Sequence, residues 1–159
     1  MSGSSAISVR AAKAADFNVV MDLLSAAQLP TEDLDGVPRL RLWVAEQDDR
    51  IVGAIGLESY GPDALLRSLV VAPSHRGRRI GSTLIDTLER EVRCNGTEVL
   101  ILLTETAEAF FMRHGYEVIE RERVADEVKR STEFQSLCPA SAVCMAKMLT
   151  FTSAALRHE

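Results

Sequence analysis

The residue types most able to do chemistry crowd into one short stretch, Val70-Val71-Ala72-Pro73-Ser74-His75-Arg76-Gly77-Arg78-Arg79-Ile80-Gly81-Ser82-Thr83-Leu84. Its pattern reads as the end of a strand, a loop rich in Gly and Arg, and the start of a long helix. The first turn of a helix has N–H groups with no intrahelical partner and a partial positive charge, so it attracts phosphate oxygens. Gly77 and Gly81 let a backbone come close to such a ligand. Arg76, Arg78 and Arg79 add charge that does not titrate away.

Two familiar phosphate motifs are excluded. Only three residues separate Gly77 from Gly81 and the Lys of a nucleotide P-loop is missing. The spacing is also not the G-x-G-x-x-G of a dinucleotide site. Read without further context, the stretch fits a phosphate cradle and a solvated basic turn about equally.

The elements that must position this loop alternate between strand and helix. Ile7 to Arg10 reads as a strand, and Asp16 as the cap of the helix after it. Phe17, Val20, Met21 and Leu24 fall at i, i+3, i+4 and i+7, the buried stripe of that helix. Thr31 to Asp35 is predicted as a short second helix. Leu42 to Glu46 and Ile51 to Leu57 are strands joined by a turn over Gln47 to Arg50. Leu65 to Val71 is a strand entered through Gly61-Pro62. Ile80 to Cys94 is the strongest helix, with Leu84, Ile85, Leu88 and Val92 facing inward and Asn95-Gly96 closing it. Val99 to Leu103 is a continuous apolar run, as in a strand covered on both faces. Thr106 to Arg113 is predicted helical and ended by Gly115, Tyr116 to Ile119 begins a strand, Asp126 to Leu137 is helical in part, and Ala142 to Leu149 is the last strand. The pattern predicts a single α/β (α+β) domain over 7–149, with a mixed, mostly antiparallel sheet and helices on both faces. Residues 1–6 and 150–159 read as loose tails.

Composition narrows the partners. The chain has 159 residues, 47% hydrophobic and 26% charged, which suits one domain with its own core. A net charge of −5 argues against nucleic acid as a partner, since that needs a broad basic surface. No apolar run reaches the length of a membrane span and the first residues do not resemble a signal peptide, so no membrane partner and a cytoplasmic location are expected. Cys94, Cys138 and Cys144 are an odd count, better suited to inert packing than to a disulfide framework. His75, His114 and His158 form no metal-ligand pattern, so no metal is expected.

The chain resembles the GNAT superfamily of N-acetyltransferases. Arg76-Gly77-Arg78-Arg79-Ile80-Gly81 is similar to the family's loop, Arg or Gln, two residues, Gly, one residue, then Gly or Ala, with Arg79 standing where Gly is usual. Val9-Arg10-Ala11-Ala12 with Asp16, Trp43-Val44-Ala45-Glu46, Ile51-Val52-Gly53-Ala54-Ile55-Gly56 and Ala107-Glu108-Ala109-Phe110-Phe111-Met112-Arg113-His114-Gly115-Tyr116 resemble further family blocks in the right order. The segments Leu103 to Phe111 and Thr132 to Met145 look like the branch associated with bacterial arsenic-resistance operons, itself similar to amino-acid N-acetyltransferases.

The resemblance implies acetyl-CoA as cosubstrate and a direct transfer of acetyl to an amine. It implies that backbone of Leu69 and Val71 pairs with the pantetheine arm, and that Arg76, Gly77, Arg78, Arg79, Ile80, Gly81 and Ser82 hold the pyrophosphate. An N–H of Leu69 or Val70 would polarise the thioester carbonyl. Phe110 and Phe111 fall in the cofactor-binding region, Phe111 where the family often has a proton-donating Tyr. Thr104 stands where Asn is common. Water, Thr104 or Tyr60 would supply the proton instead, and a thiol of pKa about 8.5 leaves fairly well unaided. Glu58 is the first candidate base and Arg67 the candidate anchor for a substrate carboxylate.

The resulting expectation is N-acetylation of a small-molecule amine, an amino acid or an amino-acid-like toxin. The alternatives are protein acetylation at a lysine or N-terminus, and a GNAT module that binds acyl-CoA without turnover. The acceptor and acyl length stay open, as does assembly, a homodimer being one option.

Overall fold

A computed structural model describes residues 6–29, 31, 40–131, 134 and 141–149. Seven strands are found among them: β1 (Ser8–Ala11), β2 (Leu40–Gln47), β3 (Arg50–Tyr60), β4 (Asp63–Val71), β5 (Val99–Thr104), β6 (Glu117–Val118) and β7 (Val143–Met148). They form one sheet in the order β1-β2-β3-β4-β5-β7-β6. The helices are α1 (Phe17–Ala26), α2 (Ile80–Arg93), α3 (Glu108–Arg113) and α4 (Asp126–Lys129). β4 and β5 run parallel, while β1–β2, β2–β3, β5–β7 and β6–β7 are antiparallel. The mixed α/β sheet predicted from sequence is therefore present.

The chain divides into two compact units, Met1–Glu58 with Leu66–Leu88 and Ser59–Leu65 with Glu89–Glu159. In the first, β2 and β3 form a hairpin whose Asp48 and Asp49 take φ of 54° and 63°. Two left-handed residues match the twist of the flanking strands, and Asp tolerates that conformation. Val20 and Leu24 of α1 are fully buried against Val44, Ala54 and Val70, with Phe17 and Met21 packed beside them. That is the stripe predicted for α1. The role predicted for Asp16 differs. Its side chain makes no capping bond to α1. One oxygen instead accepts the Lys13 N–H at 2.7 Å and a bond from Arg10 Nη1 at 2.7 Å. Arg10 also reaches Glu46 on β2, so its guanidinium outcompetes the helix amides for Asp16.

In the second unit, β5 pairs along its whole length with β7. Leu65, Ile101, Val124, Val128, Phe134 and Cys144 form the core. The central residues of β5, Leu100 to Leu102, are buried, as its apolar run predicts. α3 starts two residues later than predicted because Thr104 Oγ1 accepts the Ala107 N–H at 3.0 Å and holds a turn ahead of it. It ends at Gly115, φ +93°, where the Tyr116 N–H returns to the Phe111 carbonyl. β6 is only two residues long, although Ile119 N–H still bonds the Cys144 carbonyl. α4 covers only the start of the partly helical stretch predicted over 126–137. The predicted helix at 31–35, apart from Thr31, lies outside the described residues. So do Cys138 and both tails, Ala6 excepted.

Candidate cofactor loop and buried ion pair

The loop that follows β4 is placed by what lies under α2. Gly53, on β3, faces the start of that helix. A Cβ built there would lie 2.9 Å from the Val70 carbonyl oxygen, 3.2 Å from Leu84 and 3.4 Å from Ile80. Glycine at 53 thus brings β3, the end of β4 and the first turns of α2 closer than any side chain would allow. Ile80, Leu84, Ile85 and Leu88 are buried on the inner face of α2.

From Val71 the chain makes a short 3-10 turn, Pro73–His75. The His75 N–H bonds the Ala72 carbonyl, and Arg76 Nε reaches back to the Val71 carbonyl at 3.3 Å. Gly77 then takes φ +82° with open space around its α-carbon, so it is backbone conformation that requires glycine there. Arg79 takes φ +64°. Its carbonyl accepts both the Thr83 N–H and the Thr83 hydroxyl at 3.0 Å, so helical bonding in α2 starts from Arg79. The N–H groups of Ile80 and Gly81 lie in the first turn, ahead of that bond.

Arg76, Arg78 and Arg79 are exposed. Among the described residues, none of the three pairs with a carboxylate. Three guanidinium groups without internal counter-ions, beside a helix start, favour a multiply charged anion such as a diphosphate. Arg79, where the family usually has Gly, adopts the left-handed conformation that glycine favours.

One strand earlier the backbone is distorted again. Ser68, in the middle of β4, has φ +60°. A left-handed residue inside a strand turns the chain off its pleat, as at a β-bulge, and re-aims the groups that follow. Those groups are the amides of Leu69, Val70 and Val71. Leu69 and Val71 are half-buried and Val70 is buried.

Arg67, just before that kink, meets Glu58 of β3. Arg67 Nη1 donates to Glu58 Oε2 at 2.5 Å, and the two side chains are 1% and 2% exposed. Arg67 Nε also lies 3.3 Å from Ser68 Oγ. The candidate base and the candidate carboxylate anchor are therefore partners of each other.

The remaining predicted residues belong to the second unit. Thr104 Oγ1 is engaged with Ala107, as above. Phe111 is buried, its ring edge-on to Phe110 at 5.2 Å and to Tyr116 at 5.5 Å. Tyr60 is half-buried beside that unit's core. Among the described residues no group of His, Cys, Asp or Glu could hold a metal. No described helix is long and apolar enough to cross a membrane.

Sequence reading passed over one buried cluster. Glu89 of α2 accepts from Tyr116 Oη at 2.9 Å and from Lys147 Nζ at 2.9 Å, and Lys147 also donates to the His114 carbonyl. Glu89 stands four residues after Ile85 and three before Val92, so it lies on the inward stripe of the helix. That position was the available signal. Its partners lie 27 and 58 residues away and gave none. Cys94 is exposed rather than buried, at the C-terminal end of α2 where the chain turns out to Gly96. Cys144 fits the inert reading: burial pushes its thiol up to about 11.

A strand, a basic loop with left-handed backbone and the start of a long helix thus follow one another on a mixed α/β sheet. Residues 38–118 match the acetyltransferase (GNAT) domain model, and the chain belongs to that family. An amino-acid acetyltransferase of Mycobacterium tuberculosis is 32% identical over 111 residues, 67% of this chain and 60% of that protein. Among solved structures, a Mycobacterium tuberculosis protein in complex with CoA superposes with a TM-score of 0.75 and 26% identity, over 90% of this chain and 99% of that one. The N-acetylglutamate synthase of Neisseria gonorrhoeae, complexed with coenzyme A and N-acetyl-glutamate, superposes with a TM-score of 0.78 at 14% identity, over 92% of this chain and 36% of that one. The chain spans about three fifths of the length of the curated relatives it matches.

Proposed function

We propose that this chain is an acetyl-CoA-dependent N-acetyltransferase acting on the amine of a small molecule, an amino acid or an amino-acid-like toxin. The observation that carries the reading is the left-handed backbone at Arg79, which starts α2 among three arginines that pair with no carboxylate among the described residues. That geometry suits a diphosphate. The family likeness and the CoA-bound neighbour support CoA as the molecule that brings it.

In this reading Arg76 to Ser82 hold the diphosphate, and Leu69 and Val71 offer backbone to the pantetheine arm. The kink at Ser68 aims an N–H of Leu69 or Val70 at the thioester carbonyl. Holding the thioester in a fixed pose supplies a large share of the rate. Phe110 and Phe111 supply apolar packing, and the Thr104 hydroxyl keeps its proton for a departing thiolate. Glu58 takes the proton of the incoming ammonium. An α-amine of pKa near 8 is about one-tenth neutral at pH 7, whereas a lysine amine is under one-thousandth neutral. Acid–base equipment this sparse therefore suits the α-amine.

The amino-acid acetyltransferase relative supports an amino-acid acceptor. The likeness of residues 103–111 and 132–145 to the arsenic-resistance branch adds arsenic and phosphorus analogues of amino acids to the acceptors worth testing. The reading also places the protein in the cytoplasm. The test is free-thiol release from acetyl-CoA against a panel of amino acids, those analogues and polyamines, beside calorimetry of CoA binding. Gly81→Glu, which puts a carboxylate at the helix start, should abolish both. Undiminished CoA binding by that variant would refute the assignment.

A further inference from the structure

α3 is six residues long, Glu108–Arg113, too short to hold its place by helical bonds of its own. Its position has to come from what it touches, and apolar packing by itself is non-directional. Directional bonds hold it at both ends. At the start, Thr104 Oγ1 accepts the Ala107 N–H. At the end, Lys147 Nζ, on β7, donates to the His114 carbonyl at 2.9 Å. The same ammonium donates to the two oxygens of Glu89 at 2.9 and 3.1 Å, so its three N–H bonds meet three acceptors. Lys147 reaches them across Gly115, where a Cβ would lie 3.3 Å from its Cε and 3.4 Å from its Nζ.

Glu89 in turn accepts the Tyr116 hydroxyl at 2.9 Å. Tyr116 is 2% exposed and Glu89 5%, and a buried hydrogen-bonded network specifies one arrangement more sharply than packing does. The Tyr116 ring stands edge-on to Phe111 at 5.5 Å, and Phe111 edge-on to Phe110 at 5.2 Å. The Tyr116 N–H also closes on the Phe111 carbonyl. The hydroxyl bond to Glu89 therefore fixes the ring against which Phe111 rests. We infer that Glu89, Tyr116 and Lys147 are positioning residues for acetyl transfer and act through Phe111. The inference rests on the N-acetyltransferase reading, in which Phe110 and Phe111 pack against the acetyl-CoA arm.

The three side chains move no proton in the reaction. Their part is to keep the aromatic wall of α3 in one place while the thioester is held against it. Without its hydroxyl, residue 116 keeps an aromatic ring and its burial, but that ring loses its fixed point on α2. A misplacement of about 1 Å in a group that orients reacting atoms costs up to about a hundredfold in rate, and one bond lost from several should cost about tenfold. Arg76 to Ser82 take no part in these bonds, so the diphosphate contacts should be spared.

The test is Tyr116→Phe, which removes one hydroxyl and keeps the ring. It is assayed by thiol release from acetyl-CoA with the most active amino acid of the panel, at a temperature where circular dichroism shows wild type and variant fully folded. The expected result is about a tenfold loss in kcat, with KM for acetyl-CoA and calorimetric CoA affinity within about twofold of wild type. Phe111→Leu, made alone and together with Tyr116→Phe, tests the route. If Tyr116 acts through Phe111, removing the hydroxyl from the Phe111→Leu enzyme should cost no further kcat. Lys147→Met cuts the ties to His114 and Glu89 and covers the case in which Tyr116→Phe does not fold; it should show the same loss and the same dependence on Phe111. A merely structural network would lower Tm and leave kcat of the folded variants unchanged, which would overturn the inference. A loss in kcat that adds in full to that of Phe111→Leu would overturn it too. Either result leaves acetyl transfer standing, whereas release of no thiol by the wild type with any acceptor would overturn the function and the inference together.

Discussion

Arg79 carries two costs and benefits that a pair of substitutions can separate. It holds φ +64°, a conformation that costs an L-residue with a Cβ about 1–2 kcal/mol relative to glycine. Replacing it with Gly removes that strain but adds about 0.5–1 kcal/mol of unfolded-state entropy. The net gain is therefore about 0–1.5 kcal/mol, a rise in Tm of about 0–6 °C for a chain this size. Arg79→Ala keeps the strain and should melt below Arg79→Gly by the difference. Both lose the same guanidinium. If it contacts the diphosphate, each should bind CoA about tenfold or more weakly, the worth of a charge-assisted bond. The assay is thermal melting of the apo proteins by circular dichroism, beside calorimetric titration with CoA. The predicted order of Tm is Gly variant above Ala variant, with similar losses of affinity. An Ala variant as stable as the Gly variant would refute the strain argument. Undiminished affinity in both would refute the role of the charge.

Gly53→Ala should also perturb the cofactor segment, but through packing. The new methyl would sit 2.9 Å from the Val70 carbonyl, a backbone atom that cannot swing aside. Overpacking of this kind costs about 1–3 kcal/mol, and the shift passes directly to β4 and the start of α2, so both Tm and CoA affinity should fall. An unchanged melt would show that the two elements are not clamped there. A second expectation concerns acid. The Arg10 guanidinium and the Lys13 N–H hold Asp16 at about 2, below its ordinary 3.8. The carboxylate binds protons less tightly folded than unfolded, so its stabilisation is complete above about pH 4 and disappears as pH falls toward 2. Wild type should therefore melt above Asp16→Asn at pH 5, and the gap should close by pH 2. A constant gap would mean that Asp16 acts by shape and not by charge.

How much of this was readable from residues depends on range. α1, α2 and the run of β5 follow local periodicity, and their buried faces are those the spacing gives: Val20 and Leu24, Leu84 and Leu88, Leu100 to Leu102. The start of α3 was misplaced because a single side-chain bond from Thr104 decides it. The Asp16 cap failed because Arg10 and Glu46, far apart in sequence, meet across β1 and β2. Both candidate residues Glu58 and Arg67 were found singly, on adjacent strands, but their pairing is a property of the sheet and has no local signal. The cluster at Glu89 shows the same limit.

The cofactor segment shows why backbone strain is hardest to read. Five non-glycine residues among those described have positive φ: Gln28, Asp48, Asp49, Ser68 and Arg79. The first three sit where such a conformation has a local cause. Gln28 follows α1, and the Leu29 N–H closes back on Leu24. Asp48 and Asp49 make the hairpin. Ser68 and Arg79 have no such excuse, being inside a strand and immediately before a helix. They fall eleven residues apart, Ser68 just before the backbone proposed for pantetheine and Arg79 within the loop proposed for the diphosphate. Strain of this sort persists only where surrounding structure enforces it, and it gathers where a chain must present groups to a ligand. A glycine at either position would have advertised the conformation in the sequence. Ser68 and Arg79 conceal it, and Arg79 adds a charge that glycine lacks. The residue that breaks the family pattern is thus the one whose backbone its own type predicts least.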